Sequence, residues 1–525
     1  MIHRATQTSE YWSNYQFSAE DAEYVSNLLL ESGSSKSTSD FALGITQRRV
    51  DMENARIRRE MDRSSIYQPK KQFSIGEEIL FPTMHFNIGR VIDKRSGITP
   101  ENVQFEVIKV EFRDGTRGEF ASSYDKPHRI NDDGFVTTLL NQQADLKSPT
   151  TLLEVYGSRI ANTIDAALEK SDNFIRIGKD WFLRAMMADV NTGHVNLAEA
   201  VLEVAEGGPL PTHIILRDLG LPQEIARSLQ EVSLNTVLAA DPRFDEVSLT
   251  DKPAWFLRRL EPDQVREFPS ALVGKVLTKD NPLPPLDQLM IELDDELDIS
   301  TTQHLGNLAP QNSATVVLTA PHRRAGTLGL GRRLASVFPK TAKPRIPIFL
   351  RDKMNNKQFT AWLVKEGNYI WGLADWYKTN DLPVGATIEI SRGPDVNVFI
   401  IDGKRHKPKR DWVRVASVRD GRLRLDTAQR ATTCDADDLM SLYADDLRVF
   451  ENVRVGQTRD VAQIVREVFP EIAKLSPQGN VHARTLYAVV NLLIRTAPRD
   501  VFNALCNNPA FLPVGDNYWH LSERN

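Results

Sequence analysis

A chain of 525 residues is too long to close around one hydrophobic core, so three to five domains are expected. Its apolar and charged contents are those of ordinary globular proteins, and a formal net charge of −5 carries no global signature of nucleic-acid binding. No apolar run reaches the roughly 18 residues that span a bilayer, the first twenty residues lack the apolar core of a signal peptide, and two cysteines, Cys434 and Cys506, are too few for a disulfide framework or a four-cysteine zinc site. A cytoplasmic protein without a membrane partner is the expectation.

Residues 1–66 read as an N-terminal segment of helix and linker, polar over 1–45. A helix over Ala19–Leu30 is followed by a flexible Ser-rich linker, Glu31–Asp40, and by a helix over 41–66. In that helix Arg48, Arg49, Arg56, Arg58, Arg59 and Arg63 interleave with acids, the pattern of a solvated mixed-charge helix. From 67 to 130 short strands take over: Phe73–Phe81, Ile88–Ile92, Phe105–Phe112 and Gly118–Ala121, with Asp114-Gly115 as a hairpin turn. This stretch resembles the SH3-like modules with which bacterial proteins contact nucleic acid or protein. Two helix–hairpin units follow, at 150–190 and 191–265. The first places Leu152, Val155, Ile160, Ile164 and Leu168 at helical spacing. The second runs through a helix at Asn196–Ala205, a break at 207–211, Thr212 as an N-cap, a turn at Gly220-Leu221-Pro222 and a helix at Gln223–Ala240, the order of a helix-turn-helix.

Residues 266–344 are expected to be a connector, acidic and then basic. Asp287, Glu292, Asp294, Asp295, Glu296 and Asp298 occur with no Lys or Arg among them. They lack the spacing and glycine of an EF-hand, so a solvated acidic helix is expected. Between Pro321 and Lys357 ten basic residues stand against one acid, and Arg323, Arg324, Arg332 and Arg333 lead that run. Residues 345–450 read as a β-rich barrel, with strands at Ile346–Leu350, Phe359–Val364, Tyr369–Leu373, Thr387–Ser391, Val396–Ile401 and Trp412–Val418 and hairpin turns at Asp402-Gly403 and Asp420-Gly421. A second basic run, Lys404, Arg405, His406, Lys407, Lys409 and Arg410, falls on the loop before Trp412. The segment Asp375-Trp376-Tyr377 through Leu382-Pro383-Val384-Gly385-Ala386 resembles the aromatic, then Leu-x-x-Gly-Asp turn of B3-like DNA-binding barrels. It departs from that pattern at Ala386, where those families carry Asp.

Residues 455–525 are a third helix–hairpin unit, with an amphipathic helix at Asp460–Lys474, a helix from His482 to about Ile494, and a short helix from Pro498 to Cys506. The three units share a pattern: Phe174, Ile177, Trp181 and Leu183; Phe244, Val247, Trp255 and Leu257; Phe511, Val514, Trp519 and Leu521. Three copies with matching Phe and Trp positions outweigh a single weak match. Helices followed by a hairpin with a core Trp form the outline of a winged helix. Trp two places before Leu on the returning strand favours inward packing of the indole over stacking on bases. The last copy, Asn508-Pro-x-Phe511-x-x-Val514-Gly515-x-x-x-Trp519-x-Leu521, resembles the HARE-HTH winged helix, found in the delta subunit of bacterial RNA polymerase, in chromatin regulators and fused to restriction enzymes. That resemblance implies nucleic-acid- or polymerase-associated binding.

Catalytic patterns are weak. Pro394-Asp395 with Asp402-Gly403-Lys404 superficially matches a Mg²⁺-dependent nuclease motif, but only six residues separate the acids and Asp-Gly is a hairpin turn. The expected fold class is α+β multidomain: three winged-helix units and two small β-barrel-like modules. The expected function is non-enzymatic, without metal or cofactor: a DNA-binding regulator of transcription or the chromosome, nucleoid-associated. Phosphates of double-stranded DNA would be met by Arg323, Arg324, Arg332, Arg333, Lys404, Arg405, Lys407, Lys409 and Arg410, and Arg484 would lie on a recognition helix. The alternative is a protein-interaction scaffold in an RNA polymerase-associated or anti-phage defence complex. Burial of the recognition helices would favour it.

Overall fold

The computed structural model describes residues 4–63, 65–84, 87–98, 104–132, 134, 146–274, 286–297, 309–453 and 460–522. The chain is mixed α/β and divides into two compact units, Met1–Asp189 with Leu221–Thr236, and Val190–Gly220 with Val237–Asn525. Among the described residues no helix is long and apolar enough to cross a membrane.

The first unit opens with α1 (Ser9–Ser13) and α2 (Ala19–Ser32). Ser18 and Asp21 cap α2 reciprocally, each side chain accepting the other's backbone N–H at 3.2 and 3.0 Å. The Ser-rich stretch expected to be a flexible linker holds strand β1 (Lys36–Ser37). Ser37 Oγ accepts from Asp40 N (3.2 Å) at the start of α3 (Thr38–Arg63). A five-stranded sheet follows, β2 (Ser65–Ile66), β3 (Glu78–Phe81), β4 (Asn87–Ile98), β5 (Gln104–Phe112) and β6 (Arg117–Ser122), in sequence order around Tyr67, Phe73, Phe81, Ile108 and Phe112. Then come α4 (Pro149–Leu168), β7 (Phe174–Ile177) and β8 (Asp180–Leu183). Trp12, Leu29, Phe41 and Ile45 share one core with Ile160, Ile164, Leu168 and Trp181. The expected boundary between 1–66 and 150–190 is therefore corrected: both stretches supply one core, to which α3 gives Phe41, Ala42 and Ile45 while Asp40, Leu43, Gln47 and Asp51 stay exposed.

The second unit begins with α5 (Thr192–Val204), β9 (Leu210–Pro211) and α6 (Thr212–Ile215). Helix α7 (Arg227–Ala240) is divided between the two units. The hairpin β10 (Phe244–Glu246) and β11 (Ala254–Leu257) and the short helices α8 (Asp263–Arg266) and α9 (Asp287–Leu293) come next. A seven-stranded sheet is then laid down by β12 (Ser313–Val317), β13 (Thr327–Gly329), β14 (Arg345–Asp352), β15 (Gln358–Val364), β16 (Tyr369–Trp371), β17 (Thr387–Arg392) and β18 (Val398–Asp402). Its order is β12-β17-β18-β14-β15-β16-β13. Helices α10 (Ala320–Ala325), α11 (Arg332–Ala335) and α12 (Ala374–Thr379) lie in its connections. Ala314 on one edge strand and Leu328 on the other reach the same core as Ile348, Ile388 and Ile401, so the sheet curls into a half-barrel.

Three expectations change here. The stretch 266–344 is not only a connector, because β12 and β13 are the two edges of the barrel. Asp402-Gly403 joins two sheets and makes no hairpin, whereas Asp420-Gly421, both at positive φ, is the turn between β19 (Arg405–Arg419) and β20 (Arg422–Cys434). From Arg405 on, the second basic run therefore lies on a strand and not on a loop; Lys404 precedes it. The chain closes with α13 (Val461–Ala473), β21 (Val481–His482), α14 (Ala483–Leu493), α15 (Pro498–Cys506), β22 (Phe511–Gly515) and β23 (Tyr518–Leu521).

Three small sheets repeat one construction. In each a two-residue strand leads directly into a helix and pairs with the second strand of a hairpin, which carries the Trp. Lys36 faces Trp181, Leu210 faces Trp255, and Val481 faces Trp519. Counting five and nine residues on from each facing residue reaches buried positions every time: Phe41 and Ile45, Ile215 and Leu219, Leu486 and Val490. All three indoles are buried as their spacing requires, at 1%, 1% and 5% exposure.

In the second unit Arg345 on β14 meets Asp245 (3.0 Å) and Glu261 (3.2 Å). Burial pushes the Glu261 carboxyl up to about 8; Arg345 opposes this and the Asp245 carboxylate adds to it. A carboxyl raised on folding stabilises fully below its unfolded value near 4.5, and that contribution is lost as pH climbs through the folded value. Stability of this unit is expected to fall between about pH 4.5 and 8, by on the order of 1–3 kcal/mol. Glu261→Gln should flatten that slope in urea unfolding at pH 5.5, 7 and 8.5; an unchanged slope would refute the assignment.

Candidate nucleic-acid interface

Most of the basic residues expected to meet phosphate are turned inward by the fold. Arg323 donates from Nε to Leu382 O (2.8 Å) and lies over the Tyr377 ring, and Arg324 donates to Leu492 O (2.6 Å) and Glu451 (3.4 Å). Burial lowers the proton affinity of both guanidiniums. Arg332 is half-buried, and Arg333 donates to Ile291 O (3.1 Å). The carboxylate of Asp294 caps α11, accepting from the backbone N–H groups of Arg332 (3.1 Å) and Arg333 (2.9 Å). A side chain at Gly331 would strike the Asp294 carbonyl, so only glycine permits this approach. Lys404 is held by Glu389 and Asp402, and Arg405 by Asn380 and Asp352. The concentration of charge in the sequence does not become a concentration of free charge on the surface.

Arg484 changes meaning most. It sits on the first turn of α14, where His482 caps the helix by accepting from Arg484 N (3.0 Å). Its guanidinium bridges Asp437 (2.8 Å) and Glu292 (2.9 Å). From Thr485 to Leu493 every residue of α14 is buried, so this helix presents no face to a DNA groove. The acids expected to form a solvated helix supply its neighbours. Asp295 accepts from Arg495 Nη2 (2.7 Å) and Nη1 (2.9 Å) and from the Tyr487 hydroxyl, and Glu296 accepts from Arg495. Glu296 also bonds His322 Nε2 (2.7 Å), whose Nδ1 meets Thr327 (2.8 Å). Burial raises the Asp295 carboxyl, while for Glu296 burial is outweighed by Arg495 and His322, which hold it low. Asp298 lies outside the described residues.

Other groups weighed in the sequence also find structural places. Trp376 donates to Asp352 (2.8 Å) and Tyr377 to Thr327 O (2.7 Å), so the barrel aromatics are core. Asp395 lies in the turn before β18 and Asp402 ends that strand, whose four steps from Val398 span about 13 Å, so the two carboxylates sit at opposite ends of a strand and not at one shared metal site. Among the described residues no group of three His, Cys, Asp or Glu is placed to hold a metal ion.

What stays exposed is concentrated at one end of the barrel. β14 and β18 pair in parallel with Asp352 opposite Ile401, so the segments that follow them emerge side by side. One carries Lys357, which is exposed, and Lys353, exposed but paired with Asp402 (2.9 Å); the other passes through Lys404 and Arg405 into β19. Six consecutive β19 residues, Lys407 through Trp412, are exposed. A strand of a two-stranded ribbon that is open on both faces is marginal by itself. Here it is anchored at both ends. Cys434, opposite Arg405, joins the barrel core. Ala416, Leu423 and Leu425 join the core around α13 and α14, and Arg424 bonds Glu471 of α13 (2.7 Å).

Trp412, 65% exposed, is the residue that reading by charge overlooked. The signal was period-two alternation: Arg410, Trp412 and Arg414 share one face. The chain matches no protein-family model, no curated protein and no solved structure.

Proposed function

We propose that this chain is a non-enzymatic DNA-binding protein, transcription- or chromosome-associated, that grips duplex phosphates at the basic end of its half-barrel and along the exposed β19 ribbon. In this reading the three repeated helix–hairpin units are winged helices, the C-terminal one HARE-HTH-like, and the half-barrel is B3-like. The observation that carries it is the parallel β14–β18 pair: the turn after β14 holds Lys353 and Lys357, and beside it the segment after β18 runs through Lys404 and Arg405 into Lys407, Lys409 and Arg410, which have no acid between them. Phosphate contacts of this kind supply affinity and register without sequence readout.

The experiment is a salt titration of binding to a duplex probe. Each neutralised phosphate contributes about 0.9 to the slope of log K against log salt. The triple variant Lys407→Ala, Lys409→Ala, Arg410→Ala is expected to bind at least tenfold more weakly and to lose about 2–3 from that slope. Unchanged affinity and slope would remove the reading. A scaffold in an RNA polymerase-associated or defence complex would then stand, and the burial of α14 favours it: a helix wholly enclosed by its own chain is a packing element.

A further inference from the structure

We infer that Trp412 is a stacking platform for an unpaired base, so that the DNA this protein takes is a duplex adjoining a single-stranded segment. The inference rests on the DNA-binding reading and names its substrate class.

The register of the ribbon fixes what surrounds the indole. Trp412 stands opposite Gln429, Arg410 opposite Ala431, and Arg414 opposite Thr427. Directly opposed residues share a face, so Trp412 is bordered by two arginines along its own strand and by Gln429, Ala431 and Thr427 across it. All three of the last are small or polar; Gln429, Ala431 and Thr427 are themselves exposed or half-buried, and none is bulky enough to cover the ring. Arg414 is held to the backbone, donating to Asp438 O (2.6 Å), while Arg410 is exposed. Among the paired residues of the two ribbon strands none on this face is a carboxylate: Asp411 alternates to the other side, opposite Arg430, and the acids near Arg414, Asp437 and Asp438, come from the segment after β20.

An exposed indole bordered on its ribbon by arginines and an amide, with no acid directly beside it, suits a nucleic-acid strand better than an apolar protein surface. Aromatic rings accept any base face, an arginine takes the adjoining phosphate, and an amide reaches a base edge. Inside a duplex each base face is already covered by its neighbours, so a ring offered this way can gain a contact only from an unpaired base. The anchoring of both ribbon ends makes the platform rigid, which limits the ordering cost of binding. The exposed lysines Lys407 and Lys409 lead from it to the barrel end that the duplex would occupy.

The test compares a blunt 24-base-pair duplex, the same duplex with a ten-nucleotide thymidine overhang, and a thymidine 20-mer. The probes are applied to the full chain, to Trp412→Ala and to Trp412→Phe. The parent is expected to prefer the overhang probe to the blunt one by about tenfold, in keeping with one stacked base. Trp412→Ala should abolish that preference while leaving blunt-duplex affinity and salt slope unchanged, and Trp412→Phe should keep most of it. Because the side chain is exposed, the melting temperature should not move. Equal binding of blunt and overhang probes by the parent would overturn the inference, and so would an overhang preference that survives Trp412→Ala. Binding of no probe at all by the parent would instead sink the DNA-binding reading, and this inference with it.

Discussion

Arg495→Ala is expected to destabilise the second compact unit by about 3–5 kcal/mol, the cost of leaving buried charge without its partner. The Arg495 guanidinium is 1% exposed and joins Asp295, itself 2% exposed, to Glu296. Removing it leaves Asp295 with the Tyr487 hydroxyl and Glu296 with the His322 ring as their remaining side-chain partners, and takes away the cation that offsets both acids at a site where they are 2% and 10% exposed. The network gains nothing from being ionic as such: an apolar replacement of all its members could be as stable. Its vulnerability lies in losing one member. Asp295→Asn with Glu296→Gln in the Arg495→Ala background should therefore recover part of the loss, which a simple cavity at residue 495 would not allow. Urea unfolding of the single and triple variants checks this. A single-variant loss below about 1 kcal/mol, or no recovery, would mean that water or a rotamer change already solvates the acids. Arg495→Lys should also be costly, because one ammonium cannot reproduce the two-point contact with Asp295.

Replacing Trp181, Trp255 or Trp519 by Ala is expected to cost about 3–5 kcal/mol each, since every one is a nearly fully buried aromatic on the central strand of its small sheet. The loss should be local: Trp181→Ala acts on the core shared by α3 and α4, Trp519→Ala on that around α13 and α14. Two copies carry an added constraint. Trp181 Nε1 donates to Thr38 Oγ1 at 3.1 Å, and Trp255 Nε1 to Thr212 Oγ1 at 3.2 Å, each Thr opening the helix after the short strand. The corresponding residue of the third copy is Ala483. Thr38→Val and Thr212→Val should therefore cost about 1 kcal/mol each. Hydrogen exchange of each unit, followed with thermal unfolding, separates the three. A Trp variant with unchanged stability would break the equivalence of the copies.

The repeat was legible because its signals are local. Phe, Trp and Leu at fixed spacings encode alternation along a hairpin, and burial of one strand face follows from period two without reference to the rest of the chain. Most barrel strands were legible for the same reason. The short strand that completes each small sheet was not. Two residues such as Lys36-Ser37 carry no periodicity, and β1 pairs with a strand more than 140 positions away in the sequence, at Trp181. The Ser-rich composition around it read as linker although Ser37 and Asp40 make a helix cap.

By itself the sequence determined the three Phe/Trp hairpins, the amphipathic helices, the β character of 67–130 and 345–450, and the placement of ten basic residues between 321 and 357. Each depends on neighbours within a few residues. Only the tertiary structure decided which charges are free. Arg323, Arg324, Arg333, Arg405 and Arg484 are consumed by carbonyls and acids brought from far along the chain, and Asp294, Asp295 and Glu296 turn inward to meet cations about 40 to 200 positions away. Lys407, Lys409, Arg410 and Trp412 remain outside because β19 is pinned at its two ends and leaves its middle uncovered. A count of charges is a property of composition; their availability depends on which distant groups the fold sets against them, since a buried charge must be paired and an exposed one need not be.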